Sequence, residues 1–174
     1  GIYLTNDAGK SWTNMGLQDS EHFSEIIVHP KDSNTLWVAS QGPLWSKGGD
    51  RGLFKTTDKG ATWVKVLGDE EWTGVTDVVM DPNNPDILYA ATWQKHRTVA
   101  AYYGSGPGSA IHKSVDGGNT WKKLSSGLPT GEMGKIGLAL SPHDSSVFYA
   151  AIELKRRTGA VYRSADKGES WVKG

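Results

Sequence analysis

Eight tryptophans are spread along these 174 residues, and three of them stand outside any repeated pattern. Trp45, Trp72 and Trp93 fall in polar, glycine-containing stretches, among Arg51, His96, Arg97, Tyr102, Tyr103, Arg156 and Arg157. Aromatic faces interleaved with guanidinium groups suit a sugar ring, a peptide side chain or an anionic group, through stacking and bidentate hydrogen bonds. These residues are the candidate ligand contacts; anchoring of long loops by the same aromatics is the alternative. Nearby carboxylates, Glu21, Asp50, Asp69, Glu70, Glu71, Glu132 and Glu153, are numerous enough for the acid and base of a glycoside hydrolysis, but sequence does not give their separation. No catalytic residue is assigned. The five histidines show neither i, i+4 nor HExxH spacing, so no metal is expected, nor any cofactor. AGKSW at 8–12 lacks the upstream glycine of a phosphate loop, and GSGPGS at 104–109 does not complete GxGxxG. Both read as turns or flexible loop.

What must position these residues is a repeat. TNDAGKSW at 5–12 recurs as TTDKGATW at 56–63, SVDGGNTW at 114–121 and SADKGESW at 164–171. Its aspartates Asp7, Asp58, Asp116 and Asp166 lie 51, 58 and 50 residues apart, a period typical of stacked supersecondary units. Each copy reads as a hairpin turn: the Asp carboxylate accepts backbone N–H bonds, and Gly9, Gly60, Gly118 and Gly168 supply φ > 0. Short alternating stretches on either side (GLFKT before, TWVKV after) read as strands. Trp12, Trp63, Trp121 and Trp171 open the second strand of each pair and are expected to be buried packing anchors. Burying an indole removes about 150–250 Å² from water, worth at most about 4–6 kcal/mol. A turn hydrogen bond nets only about 0.5–1.5 kcal/mol.

Between the turns lies a second repeated block, SEIIVHPKDSNTLWVAS (24–40), TDVVMDPNNPDILYAAT (76–92) and IGLALSPHDSSVFYAAI (136–152). In each, a strand stops at Pro30, Pro82 or Pro142, because proline cannot donate to a sheet ladder. A polar turn and a second strand follow. The runs EIIV, DVVM and GLAL predict strands buried on both faces. Trp37 stands where the later blocks have Tyr89 and Tyr149.

Each period thus holds four antiparallel strands, fourteen in all: a half unit at 1–17 and full units at 24–67, 75–124 and 135–173. The fold class is all-β, and four short strands per period of about fifty residues fit a β-propeller blade. Residues 1–174 form one partial propeller of about three and a half blades, expected to be completed by further blades of a longer chain. Strand alternation puts the Asp turns on one rim and the variable loops, with the candidate contacts, on the other, where scaffolds usually carry function.

Nineteen basic residues balance nineteen acidic ones, so no global field recruits nucleic acid. No apolar run approaches the ~20 residues of a membrane span, so no membrane insertion is expected. With no Cys, disulfides and thiolate metal sites are excluded.

The four turns match S/T-x-D-x-G-x-S/T-W, the Asp box or bacterial neuraminidase (BNR) repeat. The blocks TGVTDVVMDPNNPDILYAATWQ and GSGPGSAIHKSVDGGNTW resemble large sortilin-like, glycosyl-hydrolase-like repeat proteins of bacteria. The resemblance covers essentially the whole chain and implies a propeller, Asp boxes that are structural and lie away from the ligand face, and a secreted, periplasmic or cell-surface location. Asp boxes occur in sialidases, xyloglucanases, sorting receptors and photosystem assembly factors, so the motif specifies fold more than activity. A sialidase would show an FRIP-like motif beginning its Arg triad, and none occurs; the aspartates of xyloglucanases have no recognisable local context here. The reading favoured is a non-catalytic binding or scaffold propeller that recognises glycan, protein or peptide on the variable rim. A sialidase- or xyloglucanase-like glycoside hydrolase and a structural subunit of a larger assembly are the alternatives.

Overall fold

The computed structural model describes residues 1–68, 71–155 and 158–174. The chain opens with a two-stranded hairpin, β1 (Tyr3–Leu4) and β2 (Thr13–Asn14). Three antiparallel four-stranded sheets follow. The first contains β3 (His22–His29), β4 (Asp32–Gly42), β5 (Arg51–Thr56) and β6 (Val64–Leu67). The second begins with β7 (Thr73–Asp81) and β8 (Asn84–Gln94). A small ribbon of β9 (His96–Arg97) and β10 (Tyr102–Tyr103) interrupts it before β11 (Ala110–Ser114) and β12 (Lys122–Leu124) complete the sheet. The third contains β13 (Ile136–Leu140), β14 (Phe148–Leu154), β15 (Thr158–Ser164) and β16 (Val172–Lys173). The ribbon accounts for the two strands beyond the fourteen expected.

Each sheet is a simple meander, and β7 packs between β3 and β13 at the inner edge. Three apolar clusters form, one for each contact between neighbouring units. Ile2, Leu17, Val38 and Phe54 join the hairpin to the first sheet; Trp37, Leu53, Val78 and Leu88 join the first to the second; Tyr89, Ile111, Leu124, Phe148 and Trp171 join the second to the third. Sheets leaning on one another in series around a shared inner edge make a partial β-propeller.

Burial follows position in that series. The block from Thr73 to Thr76 and the run Leu88–Thr92 are buried, because the middle sheet is covered on both faces. By contrast β14 alternates buried and exposed from Phe148 to Glu153, because only one face is covered. The expectation of two-sided burial is corrected for β3 and β13. Ile26 and Val28 are about half exposed, and Gly137 and Ala139 are exposed, since burial on the second face needs a neighbour that patterning cannot supply.

All four turns close identically. In the last, Ser164 Oγ donates to Asp166 Oδ1 (2.7 Å) and accepts from Gly168 N (2.9 Å), while Ser170 donates its N–H to Oδ1 (2.9 Å) and its hydroxyl to Oδ2 (2.5 Å). The residue before each glycine also has positive φ: Ala8 58°, Lys59 62°, Gly117 68° and Lys167 58°. Each of the three full units bonds this residue's N–H to the preceding proline turn, to Asn34 O, Asp86 O and Ser146 O.

The tryptophans differ among themselves. Trp171 is 3% exposed, packed against Phe148 at 5.1 Å between centroids. Trp63 and Trp121 are half-buried, and Trp63 Nε1 donates across to Met15 O of the first hairpin (2.6 Å). Trp12 is 59% exposed, which corrects its expected role as a buried anchor. Trp63, Trp121 and Trp171 each join an apolar cluster shared by two neighbouring units, whereas Trp12 belongs to none of the three clusters.

A lysine on the third strand of a sheet, Lys55 on β5 and Lys113 on β11, ties consecutive units. Lys55 Nζ lies 5.5 Å from the Trp37 ring centroid and donates to Gly117 O (2.8 Å) in the next Asp turn. Lys113 repeats this with Tyr89 (5.7 Å) and Lys167 O (2.9 Å).

Candidate functional site

The variable rim is assembled from loops that hydrogen-bond to one another across units. Asp50 N donates to Asp19 O (2.9 Å), Gly48 N to Glu71 O (2.8 Å), Lys95 N to Trp72 O (3.1 Å) and Gly106 N to Met133 O (3.2 Å). In each case the long loop inside one sheet meets a loop that links units. Polar backbone at a rim would otherwise rely on water, and these bonds fix the loops that carry the aromatics.

At the centre stands the ribbon β9–β10. Register pairs Tyr102 with Arg97 and Tyr103 with His96, so the two pairs project to opposite faces. On one face the Arg97 guanidinium lies 4.8 Å from the Trp45 ring centroid and 5.9 Å from that of Tyr102. On the other, His96 stacks on Trp72 at 4.0 Å and faces Tyr103 at 6.1 Å. Two tryptophans from other loops thus clamp a ribbon that has only two residue pairs of its own. Trp45, Tyr102 and Tyr103 remain more than half exposed; Trp45 and Tyr102, joined through Arg97, form an aromatic platform on one face of the ribbon, and Tyr103 lies on the other.

Trp93 is not a loop residue but ends β8, half-buried, its Nε1 donating to Gly104 O (2.7 Å). Arg51 is a correction. It is 1% exposed, its guanidinium donating to Gln41 O (2.5 Å), Pro43 O (2.7 Å) and Ser46 O (2.9 Å), with Trp72 6.0 Å away. It braces the 43–50 loop from within and presents no donor fork to a ligand, because three unpaired carbonyls in a tight loop need a buried donor more than solvent needs a cation. Arg156 and Arg157 lie outside the described residues, as do Asp69 and Glu70. The structure therefore brings Trp45, Trp72, His96, Arg97, Tyr102 and Tyr103 together around the ribbon, with Trp93 at its root.

Of the rim carboxylates named in the sequence, the five that are described each hold a partner. Glu21 accepts from Leu44 N (3.0 Å), Asp50 from Asp19 N (2.8 Å) and Glu153 from Lys135 N (3.2 Å). Glu71 pairs with Lys47 (3.0 Å) and Glu132 with Lys155 (3.8 Å). Lys95, a rim cation that the sequence places beside Trp93, is 5% exposed and lies over that ring. Lys135, on the facing loop and over the same ring, was not singled out in the sequence.

Comparison with known families decides the lineage. The Sortilin-Vps10 model, described as sortilin, neurotensin receptor 3, matches residues 1–113. The chain belongs to the Sortilin-Vps10 family. Among curated proteins, this Sortilin-Vps10 propeller is 28% identical over 174 residues to a xyloglucanase of Acetivibrio thermocellus, covering 93% of this chain and 19% of that protein. It is 26% identical over 139 residues to a xyloglucanase of a Paenibacillus species, covering 70% and 12%. The chain spans less than one fifth of the length of these relatives. Among solved structures, the GH74 xyloglucanase from Xanthomonas campestris superposes with a TM-score of 0.72 at 16% identity, covering 99% of this chain and 26% of that one. The Niastella koreensis GH74 enzyme does so at 0.71 and 16%, with the same coverage. These likenesses establish the propeller fold.

Within the Sortilin-Vps10 propeller the Asp boxes and the aromatic platform occupy separate rims. The turns bond to the proline turns of their own sheets, and the platform is built from the loops at the other ends of the strands.

Proposed function

We propose that the aromatic rim is a carbohydrate-binding face and that the chain is the glycan-recognising part of an exported, glycoside-hydrolase-like propeller. The observation that carries this reading is the platform of Trp45 and Tyr102 on one face of the ribbon, both exposed yet held in place by Arg97 between them. Rigid aromatic faces with polar edges bury the apolar face of a sugar ring at low entropic cost, and neighbouring donors fix its hydroxyls. That relatives are xyloglucanases makes a β-glucan backbone with side-chain sugars the first ligand to test. Calorimetry with xyloglucan oligosaccharides is expected to give binding that falls about tenfold or more in Trp45→Ala or Tyr102→Ala, at unchanged thermal stability. Equal affinity in parent and both variants overturns the reading.

Hydrolysis is the second reading, favoured by the relatives' activity. It requires two carboxyl groups about 5–10 Å apart across the scissile bond. Glu21, Asp50, Glu71, Glu132 and Glu153 are occupied in holding loops or lysines, which favours binding without cleavage. Release of reducing ends from xyloglucan by this chain would reverse that preference.

A further inference from the structure

Beside the platform lies a feature that stacking on a neutral sugar leaves unused. Lys95 Nζ stands 5.2 Å from the Trp93 ring centroid, and Lys135 Nζ stands 5.9 Å from the same centroid. The indole plane is set by its bond to Gly104 O. Among the described residues neither ammonium has a carboxylate or other hydrogen-bonding partner. Glu153 reaches the Lys135 backbone N, not its ammonium, and Glu21 is tied to Leu44 N. Lys95 is also almost fully buried, at 5% exposure.

A charge taken out of water without a counter-charge is destabilising, and a cation–π contact offsets only part of that. Burial first, then the charge of Arg51, hold Lys95 below the usual lysine range; Lys135 and Arg97 add to this, while Glu21 acts in the opposite direction. Glu21 near Lys95 and Asp77 near Lys135 act only at longer range, and no carboxylate among the described residues forms an ion pair with either ammonium. Groups kept in such a state at a rim of loops are better explained by a ligand that brings the opposite charge than by packing.

We propose that Lys95 and Lys135, arranged around Trp93, form a subsite for the carboxylate of an acidic sugar, a uronic acid residue within the glycan bound on the rim. The inference rests on the carbohydrate reading above and narrows it. The carboxylate of that sugar accepts charge-assisted hydrogen bonds from the two ammonium groups.

The test is calorimetry of this chain with a galacturonate oligosaccharide, its neutral methyl ester and inorganic sulfate, at low and at raised salt. The acid is expected to bind about tenfold more tightly than the ester at low salt, with the preference shrinking as salt rises. Lys95→Met, which keeps the apolar stem, is expected to abolish the preference, and Lys135→Ala to reduce it about threefold. Lys47→Ala, on the same rim and paired with Glu71, is expected to leave it intact. If Lys95→Met fails to fold, Lys135→Ala decides, because that side chain is exposed and its loss leaves the core untouched. Equal binding of acid and ester overturns the acidic subsite and leaves the carbohydrate reading standing. Sulfate binding that requires Lys95, with no sugar binding, overturns both the sugar subsite and the carbohydrate reading.

Discussion

The two rims of this propeller solve opposite problems with different materials. On the Asp-box rim, four turns are copies down to the N–H bond on each aspartate, 2.9 Å at Asp7, Asp58, Asp116 and Asp166 alike. Every partner of these aspartates lies within four residues, and the longer-range bonds of the turns, to Asn34 O, Asp86 O and Ser146 O, repeat from unit to unit. On the opposite rim no two loops match, and the bonds that hold them span tens of residues, such as Lys95 N to Trp72 O and Asp50 N to Asp19 O. Local closure yields uniformity, and cross-unit closure lets each loop differ. The second arrangement allows one scaffold to present a ligand surface without disturbing the sheets beneath it.

The largest expected effects come where the uniform rim meets packing. Trp171→Ala removes an indole buried against Phe148 and Tyr89, and is expected to cost about 3–5 kcal/mol. Trp12→Ala changes the same motif position on an exposed ring and is expected to stay within about 0.5 kcal/mol. Urea unfolding of the two variants measures the difference. Equal losses would mean that the turn itself, and not the neighbouring unit, carries the stabilisation. Below this stands Ser164→Ala. Its hydroxyl serves Gly168 N and Asp166 in a buried turn, and leaving that N–H unpaired is expected to cost about 1–3 kcal/mol. Thr5→Ala, in the exposed first turn, is expected to cost less.

These contrasts also mark how far the sequence could be read. The Asp boxes were legible because their whole chemistry fits in eight residues, and sheet order followed from four strands per period. Tryptophan burial was not legible, since Trp12 and Trp171 close the same eight-residue motif and differ in whether they join an apolar cluster between two units. The β9–β10 ribbon left no periodic trace: His96–Arg97 and Tyr102–Tyr103 are two pairs, stabilised by Trp45 and Trp72 from distant loops. Arg51 read as a ligand contact because an arginine beside glycines resembles a free one. Its burial depends on the carbonyls of Gln41, Pro43 and Ser46 turning inward, a fact of loop shape.

On the variable rim, Trp72→Ala is expected to release the ribbon while leaving the sheets folded. The His96 stack is lost, a contact of about 0.5–1.5 kcal/mol, so amide exchange at Tyr102 and Tyr103 is expected to quicken while the β7 and β8 amides do not change. Uniform quickening across the second sheet would show that this rim is not mechanically separate from its scaffold. Acid probes the other rim. Asp7, Asp58 and Asp166 are lowered from 3.8 to about 2, first by hydroxyl donors (Ser11, Thr56 and Ser170), and Asp116 is lowered further, by Thr120 first. Folded values below unfolded ones give a contribution present above the ordinary carboxylate range and lost as pH falls towards 2. Urea midpoints are expected to fall between pH 4 and 2, and to fall less in Asp58→Asn, which has no such group to protonate.

The smallest effect tests whether the turns are uniform in backbone as well as in sequence. Lys59 sits at φ 62°, where the third turn has Gly117 at φ 68°. A left-handed conformation costs a residue with a Cβ roughly 1–2 kcal/mol, whereas glycine's extra freedom in the unfolded chain costs about 0.5–1 kcal/mol. The first term is the larger, so Lys59→Gly is expected to stabilise by a few tenths of a kcal/mol. The bond from its N–H to Asn34 O survives the change. Gly117→Ala runs the exchange backwards. A Cβ there meets Asp86 Oδ1 only at 3.6 Å, an ordinary contact, so any loss reports backbone strain and not collision. Opposite signs in thermal unfolding of the two variants would show one backbone geometry imposed at both turns. The same sign would mean that surrounding contacts, not the motif, set the conformation of this rim too.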